Sequence, residues 1–333
     1  MKPERLHEIL KQARRQRLLV IGDLMLDEFV WGKVGRISPE APVPVVEVSG
    51  ESLYPGGAAN VARNLRQFTE HVSVIGMIGR DRPGEQLREL LAQERIDTTA
   101  CLLSRDWPTI IKTRIIARHQ QVVRVDREKI VAPNSEQVAA VLAAVKRFLP
   151  QIDAIIFEDY GKGFLAQDVV SKVVSAADAR RKIIAADPNP RHNISWRGAS
   201  VVTPNRNEAF QAAGLPWSEP TDRIEQDKAL QEVGAVLLEK WETKLVLVTL
   251  GEHGMMLFQR GDKPHHVPTK ARQVFDVSGA GDTAIALFTL ALSAGATPLE
   301  AADIANHGSA VVVGKLGTAT VSREELLQNF EHG

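Results

Sequence analysis

The stretch FDVSGAGDTAIAL, residues 275–287, sets Gly279, Ala280 and Gly281 directly ahead of Asp282 and an apolar run of helical character. Small residues let a backbone approach a ligand closely, and free N–H groups at a helix start can hold a phosphate or the charge that develops as one is transferred. A loop of the Gly-x-x-x-x-Gly-Lys-Ser/Thr kind would place a lysine after its last glycine. Here that residue is an aspartate, and no such motif occurs in the chain. Taken alone, the pattern is open between two readings. It is a phosphate cradle with Asp282 in the first turn of the helix, or a plain helix start with Ser278 as cap and Asp282 serving the helix dipole.

Three further stretches have the same double character. In YPGGAANVARNL (54–65), Gly56 and Gly57 run into a helix whose first turn displays Asn60. An amide that donates and accepts suits a polyhydroxy ligand, and the same residues suit a simple turn. TPNRNEA (203–209) spaces Asn205 and Glu208 one turn apart, which fits a magnesium ion oriented through water or a capping box. VTLGEHG (248–254) is a tight glycine turn, structural or nucleotide-binding. No G-x-G-x-x-G follows the first strand at GDLMLD, so a dinucleotide fold has no fingerprint. Histidines 119, 192, 253, 265, 266 and 307 have no metal-ligand spacing and read as surface or packing residues.

Short apolar runs recur at 17–23, 72–79, 153–159, 182–189, 200–205 and 244–251, with helical patterns over 82–94, 135–148, 165–177 and 222–241. Strand then helix, repeated, predicts a parallel sheet covered on both faces. Most of those runs close on a polar group: Asp23, Glu158 with Asp159, Asp187, Asn205 and Thr249. Such groups gather along the carboxyl edge of the sheet, where open α/β folds bind ligands. Residues 28–50 and 109–128 break the rhythm. The second alternates β-branched residues with Lys112, Arg114, Arg118 and Arg124 around a polar RHQQ that can turn a hairpin; the first carries prolines at 39, 42 and 44, which confine it to an edge. Together they predict a small β lid over the strand ends, with an edge that invites a dimer partner.

With 333 residues, 44% of them hydrophobic, the chain can bury a large core. Forty-one basic residues balance 41 acidic ones, which argues against a nucleic-acid or membrane-surface partner and for small-molecule chemistry. Cys101 is the one cysteine and reads as a small buried residue at a strand end. The N-terminal pattern Leu6, Ile9, Leu10, Ala13 is one face of a helix, not a signal core. A reduced, cytoplasmic protein is expected.

In this order, GGAAN, TPNRNE, VTLGEHG and DVSGAGDT cover nearly the whole chain and resemble the ribokinase-like (PfkB) family of sugar kinases. The resemblance implies a Rossmann-like α/β fold, one kinase domain over 1–333, with a mostly parallel sheet flanked by helices and a β-sheet lid. It also implies ATP and Mg²⁺ as cofactors, with K⁺ as an optional third. Asp282 takes the place of the catalytic base, and Gly279, Ala280 and Gly281 that of the anion hole. Asp23, Asp27, Gly56, Gly57, Asn60 and Asp187 fall at sugar-side positions. Asn205, Arg206, Asn207 and Glu208 fall near magnesium and the phosphates. Thr249, Gly251 and Gly254 fall at the nucleotide turn, Asn306 and residues 310–317 beside the adenine, and Asp276 and Ser278 where some members hold a monovalent cation.

Within the family, GDLMLDEFVWGKVGRISPEAPVPVVEV and KTRIIARHQQVVRVDRE resemble the kinase domain of the bacterial enzymes that phosphorylate D-glycero-D-manno-heptose 7-phosphate at its anomeric position. Lys112, Arg114, Arg118 and Arg124 would then offer cations to the phosphate already present, or form a solvated lid face. Two features depart from that branch. No His-x-Gly-His motif of a nucleotidyltransferase is present, and ADPNPRHN (186–193) has an asparagine where the branch has a lysine, as fructokinase-like and ketogluconate-kinase-like relatives do.

Overall fold

A computed structural model describes residues 1–118, 120–271 and 274–332. In chain order the strands are β1 (Arg17–Gly22), β2 (Leu24–Ile37), β3 (Pro44–Gly57), β4 (His71–Ile75), β5 (Met77–Gly79), β6 (Leu102–Ser104), β7 (Ile110–Ala117), β8 (Gln120–Arg127), β9 (Ala154–Glu158), β10 (Ile183–Asp187), β11 (Val201–Val202), β12 (Leu245–Thr249), β13 (Met255–Gln259) and β14 (His265–Val267).

Eight of them form the main sheet in the order β14-β13-β12-β11-β10-β9-β1-β4. It is parallel from β4 to β12 and antiparallel across β12, β13 and β14. The strands are continuous apolar runs because both faces are covered. In β1 the period-two alternation sends Leu18 and Val20 into a core shared with the N-terminal helix Pro3–Ala13 and the helix Ala280–Ser293. Leu19 and Ile21 enter the core on the opposite face, against the helices Ser135–Phe148 and Gln167–Asp178. In register, Gly22 of β1 lies beside Glu158 of β9, and Glu158 beside Asp187 of β10. The polar strand ends therefore do share one edge.

Three local expectations change. The run 72–79 is not one strand: it divides at Gly76, and β5 leaves the main sheet to pair with β6. The pattern over 222–241 is also divided, because the buried Asp227 caps the helix Lys228–Lys240 by accepting from the Leu230 N–H at 2.9 Å. The antiparallel hairpin β13–β14 was not anticipated at all. Cys101 sits just ahead of β6, half-buried, its thiol donating to the Val74 carbonyl at 3.4 Å.

The lid is a second sheet, β3-β2-β7-β8. Its strands reach deeper than residues 28–50: only Asp23 separates the end of β1 from the start of β2, and β3 runs through Gly56 and Gly57 into the helix Ala58–Arg66. Lid and sugar-side helix are thus one continuous piece of chain. Pro44 is the first residue of the edge strand β3, where no ladder donor is needed, and the other two prolines sit in the turn before it. β7 and β8 form the expected hairpin around residues 118–119, of which His119 lies outside the described residues. Among the described residues no helix is long and apolar enough to cross a membrane.

Candidate active site

Asp282 sits in the first turn of the helix Ala280–Ser293, and that helix has no side-chain cap. Ser278 is not the cap. Its N–H donates to Asp276 Oδ1 at 2.9 Å, and the cap position belongs to Gly279 in the left-handed region at φ 80°. A Cβ at Gly279 would stand 2.7 Å from Asn60 Nδ2, so both backbone conformation and space demand glycine. The Asp282 carboxylate is only 4% exposed. Its Oδ2 accepts from Asn60 Nδ2 at 2.6 Å and its Oδ1 from the Tyr160 hydroxyl at 3.0 Å. Burial outweighs those two donors and lifts the group to about 6. A carboxylate so placed is ionised at neutral pH and still a competent proton acceptor. It must be ionised to act, so kcat/KM is expected to fall about tenfold per pH unit below about pH 6. A pH–rate profile flat down to pH 4.5 would remove Asp282 from the base role.

Over this carboxylate lies a cavity of about 190 Å³ between main sheet and lid, lined by Met25, Asp27, Gly57, Lys112, Arg114, Tyr160, Ser278, Gly279, Asp282 and Thr318. The lid contributes cations in a fixed geometry. Arg114 Nη1 lies 2.5 Å from Asp27 Oδ1 and its guanidinium stacks 5.3 Å over the Phe29 ring. Lys112 Nζ lies 3.2 Å from Asp126 Oδ2 and 3.6 Å from Glu128 Oε2. The Thr318 hydroxyl donates to Asp27 Oδ2 at 3.3 Å. Gly56 is required by close approach, since its Cβ would fall 2.3 Å from the same Asp27 oxygen.

Further along the strand ends, Glu158, Asp187, Glu208 and Asp282 converge. Glu158 is 1% exposed, and its Oε2 has no hydrogen-bond partner. Burial, together with the charges of Asp187 and Asp282, holds it well above the usual carboxylate range. Burial and then the charges of Glu208 and Asp282 do the same to Asp187, and burial raises Glu208. Among the described residues no three potential ligand side chains are grouped tightly enough to grip a bare ion. The set suits magnesium, which keeps several waters and is held by one or two carboxylates plus substrate phosphates. An unpartnered buried carboxylate oxygen facing such an array fits that cation.

Residues 15–325 match the model of the pfkB family carbohydrate kinases. The chain belongs to that family. The bifunctional protein HldE of Desulfatibacillum aliphaticivorans is 41% identical over 310 residues, covering 93% of this chain and 62% of that protein. HldE of Geobacter sulfurreducens is 39% identical over 337 residues, covering all of this chain and 67% of its own length. This chain thus spans about two thirds of such relatives. Among solved structures, Arabidopsis thaliana ribokinase complexed with ribose and ATP superposes with a TM-score of 0.71 at 19% identity, over 95% of this chain and 99% of that one. Escherichia coli phosphofructokinase-2 in complex with substrates and products gives 0.77 at 18%, over 95% and 99%. The fold is that of the ribokinases, and the chain is a phosphotransferase of the carbohydrate-kinase class.

In this pfkB kinase the residues singled out in the sequence fall into three groups. Gly279, Ala280, Gly281, Asp282, Asn60, Gly56, Gly57, Asp27, Lys112 and Arg114 meet around or beside the cavity, and a Cβ on Gly281 would stand 3.8 Å from Asp187 Oδ2. Asn205 and Glu208 form the capping box, each side chain bonding the other's N–H, while leaving Glu208 near Asp187; Asn207 is exposed beside them. Thr249, Gly251 and Gly254 carry β12 into a short turn beside a cleft of about 650 Å³ lined by Glu252, His253, His266 and residues 222–226, large enough for a nucleotide. Asn306 is buried and donates to the Pro268 carbonyl of the same wall at 2.6 Å. Asp276 accepts from the N–H groups of Ser278 and Gly317, bracing the Gly279–Asp282 loop against 310–317.

The third group serves other ends. Asp23 is buried with its carboxylate on the N–H groups of Tyr160, Lys162 and Phe164, at 3.0, 3.0 and 3.2 Å; burial raises it to about 6. It shapes the loop after β9 and does not line the cavity. Arg206 is corrected from phosphate contact to strut: it is buried, ion-paired to Asp227 at 2.8 Å and bonded to the Ser218 carbonyl. Arg118 turns the lid hairpin at φ 57° and points to solvent, away from the cavity. Arg124 is paired with Arg114 across the strands but stands one strand further out, exposed and held by Asp126 at 2.8 Å. Three residues lining the cavity were missed, Met25, Tyr160 and Thr318. Tyr160 directly follows the strand-end pair Glu158–Asp159, a position that could have flagged it.

Proposed function

We propose that this kinase transfers the γ-phosphoryl of ATP to the anomeric hydroxyl of D-glycero-β-D-manno-heptose 7-phosphate. The observation that carries the reading is the cavity itself: a base, Asp282, at one wall and two lid cations, Lys112 and Arg114, at another. A sugar phosphate spans such a space with its hydroxyl at the carboxylate and its phosphate at the cations. Asp282 takes the hydroxyl proton as the oxygen attacks the γ-phosphorus, and the N–H groups of residues 279–282 receive the charge spread over the equatorial oxygens. Lid closure keeps water from competing as acceptor. The ATP triphosphate would run from that helix start toward the cleft beside Gly251 and Gly254, with Mg²⁺ beside Glu208, Asp187 and Glu158. It would supply charge neutralisation of the transferring group. Both oxygens of Asp276 are engaged by backbone, which supports a bracing role first and a K⁺ contact second.

The HldE relatives support heptose 7-phosphate as acceptor, and the asparagine of ADPNPRHN keeps fructose and ketogluconate in the comparison. With equal ATP and magnesium, kcat/KM for heptose 7-phosphate is expected to exceed that for fructose, ribose and ketogluconate by at least about 100-fold, the size two well-placed charge contacts give. A preference for any unphosphorylated sugar would sink the assignment. The same reading takes 1–333 as one kinase domain acting in the cytoplasm, as a homodimer joined through the lid. β8 supports the dimer: it is an open edge strand with Val122, Val123 and Val125 all exposed. Sedimentation of the full chain at micromolar concentration should give a dimer, and a strict monomer would discard that surface.

A further inference from the structure

Glu128, one residue past β8, places its carboxylate between two ammonium groups. Its Oε2 lies 2.7 Å from Lys162 Nζ and 3.6 Å from Lys112 Nζ. Lys112 belongs to the lid strand β7 and lines the cavity over Asp282. Lys162 comes from the main sheet, on the loop after β9, and its own N–H is fixed by Asp23 Oδ2 at 3.0 Å. The Lys112 and Lys162 side chains are 9% and 15% exposed, so both charges are largely withdrawn from water, where an oxyanion contact counts for more. The other acid on Lys112, Asp126, is already shared with Arg124. A carboxylate bridging two such lysines marks the place of an oxyanion. A phosphate offers the same paired oxygens with more charge.

We propose that Lys162 joins Lys112 and Arg114 in holding the phosphate that the acceptor sugar already carries, and that Glu128 holds this place until that phosphate displaces it. Lys162 is then a specificity-determining residue for phosphorylated over unphosphorylated sugars. The inference rests on the phosphosugar reading above.

The test compares heptose 7-phosphate with unphosphorylated heptose as acceptors for the full chain. Lys162→Met is expected to raise KM for the phosphosugar at least about tenfold while leaving kcat, and KM for the plain sugar, within about twofold. Lys162→Arg should recover most of the loss. Glu128→Gln, which keeps a hydrogen-bonding tie but removes the competing charge, should lower KM for the phosphosugar several-fold. Thermal melts establish that each variant is folded, and the Glu128→Gln result decides the matter even if Lys162→Met does not fold. Equal shifts for both sugars would make Lys162 a plain strut and overturn the proposal, as would no shift from Glu128→Gln. If the wild-type chain turns over no phosphosugar, the acceptor reading falls and takes the subsite with it; that failure shows in the wild type, before any variant is made.

Discussion

Replacing Asp282 by asparagine is expected to cut kcat by about 10²–10⁴-fold, the usual worth of a positioned general base, and at the same time to make the protein more stable. Both follow from one feature, a carboxylate 4% exposed and lifted to about 6. Its ordinary value is 3.8, so the unfolded chain ionises more readily than the folded one. The penalty is absent below about pH 3.8, grows as pH rises towards 6 and is full above it. At pH 7.5 it is on the order of 2–3 kcal/mol. Asparagine removes the penalty and fits the same hydrogen bonds. Its carbonyl accepts from Asn60 Nδ2, and its amide donates to the Tyr160 oxygen, since a phenol can accept as well as donate. The melting temperature of the variant should exceed that of the wild type at pH 7.5, and the gap should close towards pH 4. A variant that loses activity and stability together would show that the carboxylate was structural.

How much of this was legible in the sequence depends on how local each cause is. The Gly279–Asp282 loop was readable because small residues, an acid and a helix start are adjacent in the chain. The sheet was readable because its buried strands are short apolar runs with polar ends. What surrounds the Asp282 carboxylate is not local: Asn60 and Tyr160 reach it across 222 and 122 residues. Thr318 joins Asp27 across 291. Arg206 misled because it sits inside a phosphate-like motif, yet as the first helical residue after Asn205 its side chain packs over Phe210 and Trp217. The lid arginines misled differently. Alternation says which face a residue takes, but Arg124 shares a face with Arg114 and still misses the cavity, because strand order places it at the edge. The hairpin β13–β14 was hidden because MMLFQ has no turn signature of its own and its partner is three residues long.

Replacing Asp187 by asparagine is expected to raise the Mg²⁺ concentration for half-maximal activity at least about tenfold, and to lower kcat at millimolar magnesium by about 10–100-fold. Asp187 closes β10 beside Glu158 of β9, and Glu208 and Asp282 face it. Burial and that crowding raise Glu158 and Asp187 well above the usual carboxylate range, which favours their protonated forms over the charged ones. Holding a divalent cation with ATP reverses the balance and favours the charged forms. Binding of MgATP at pH 7 should therefore release protons, measurable as a dependence of the calorimetric heat on buffer ionisation enthalpy. Asparagine at 187 removes one titrating group and relieves Glu158, so proton release should shrink along with metal affinity. The folded state should gain stability, as with Asp282, because a buried carboxylate with a raised pKa opposes folding above its unfolded value. If the heat of MgATP binding is independent of buffer, and the magnesium midpoint of the variant is unchanged, these carboxylates take no part in holding the cation.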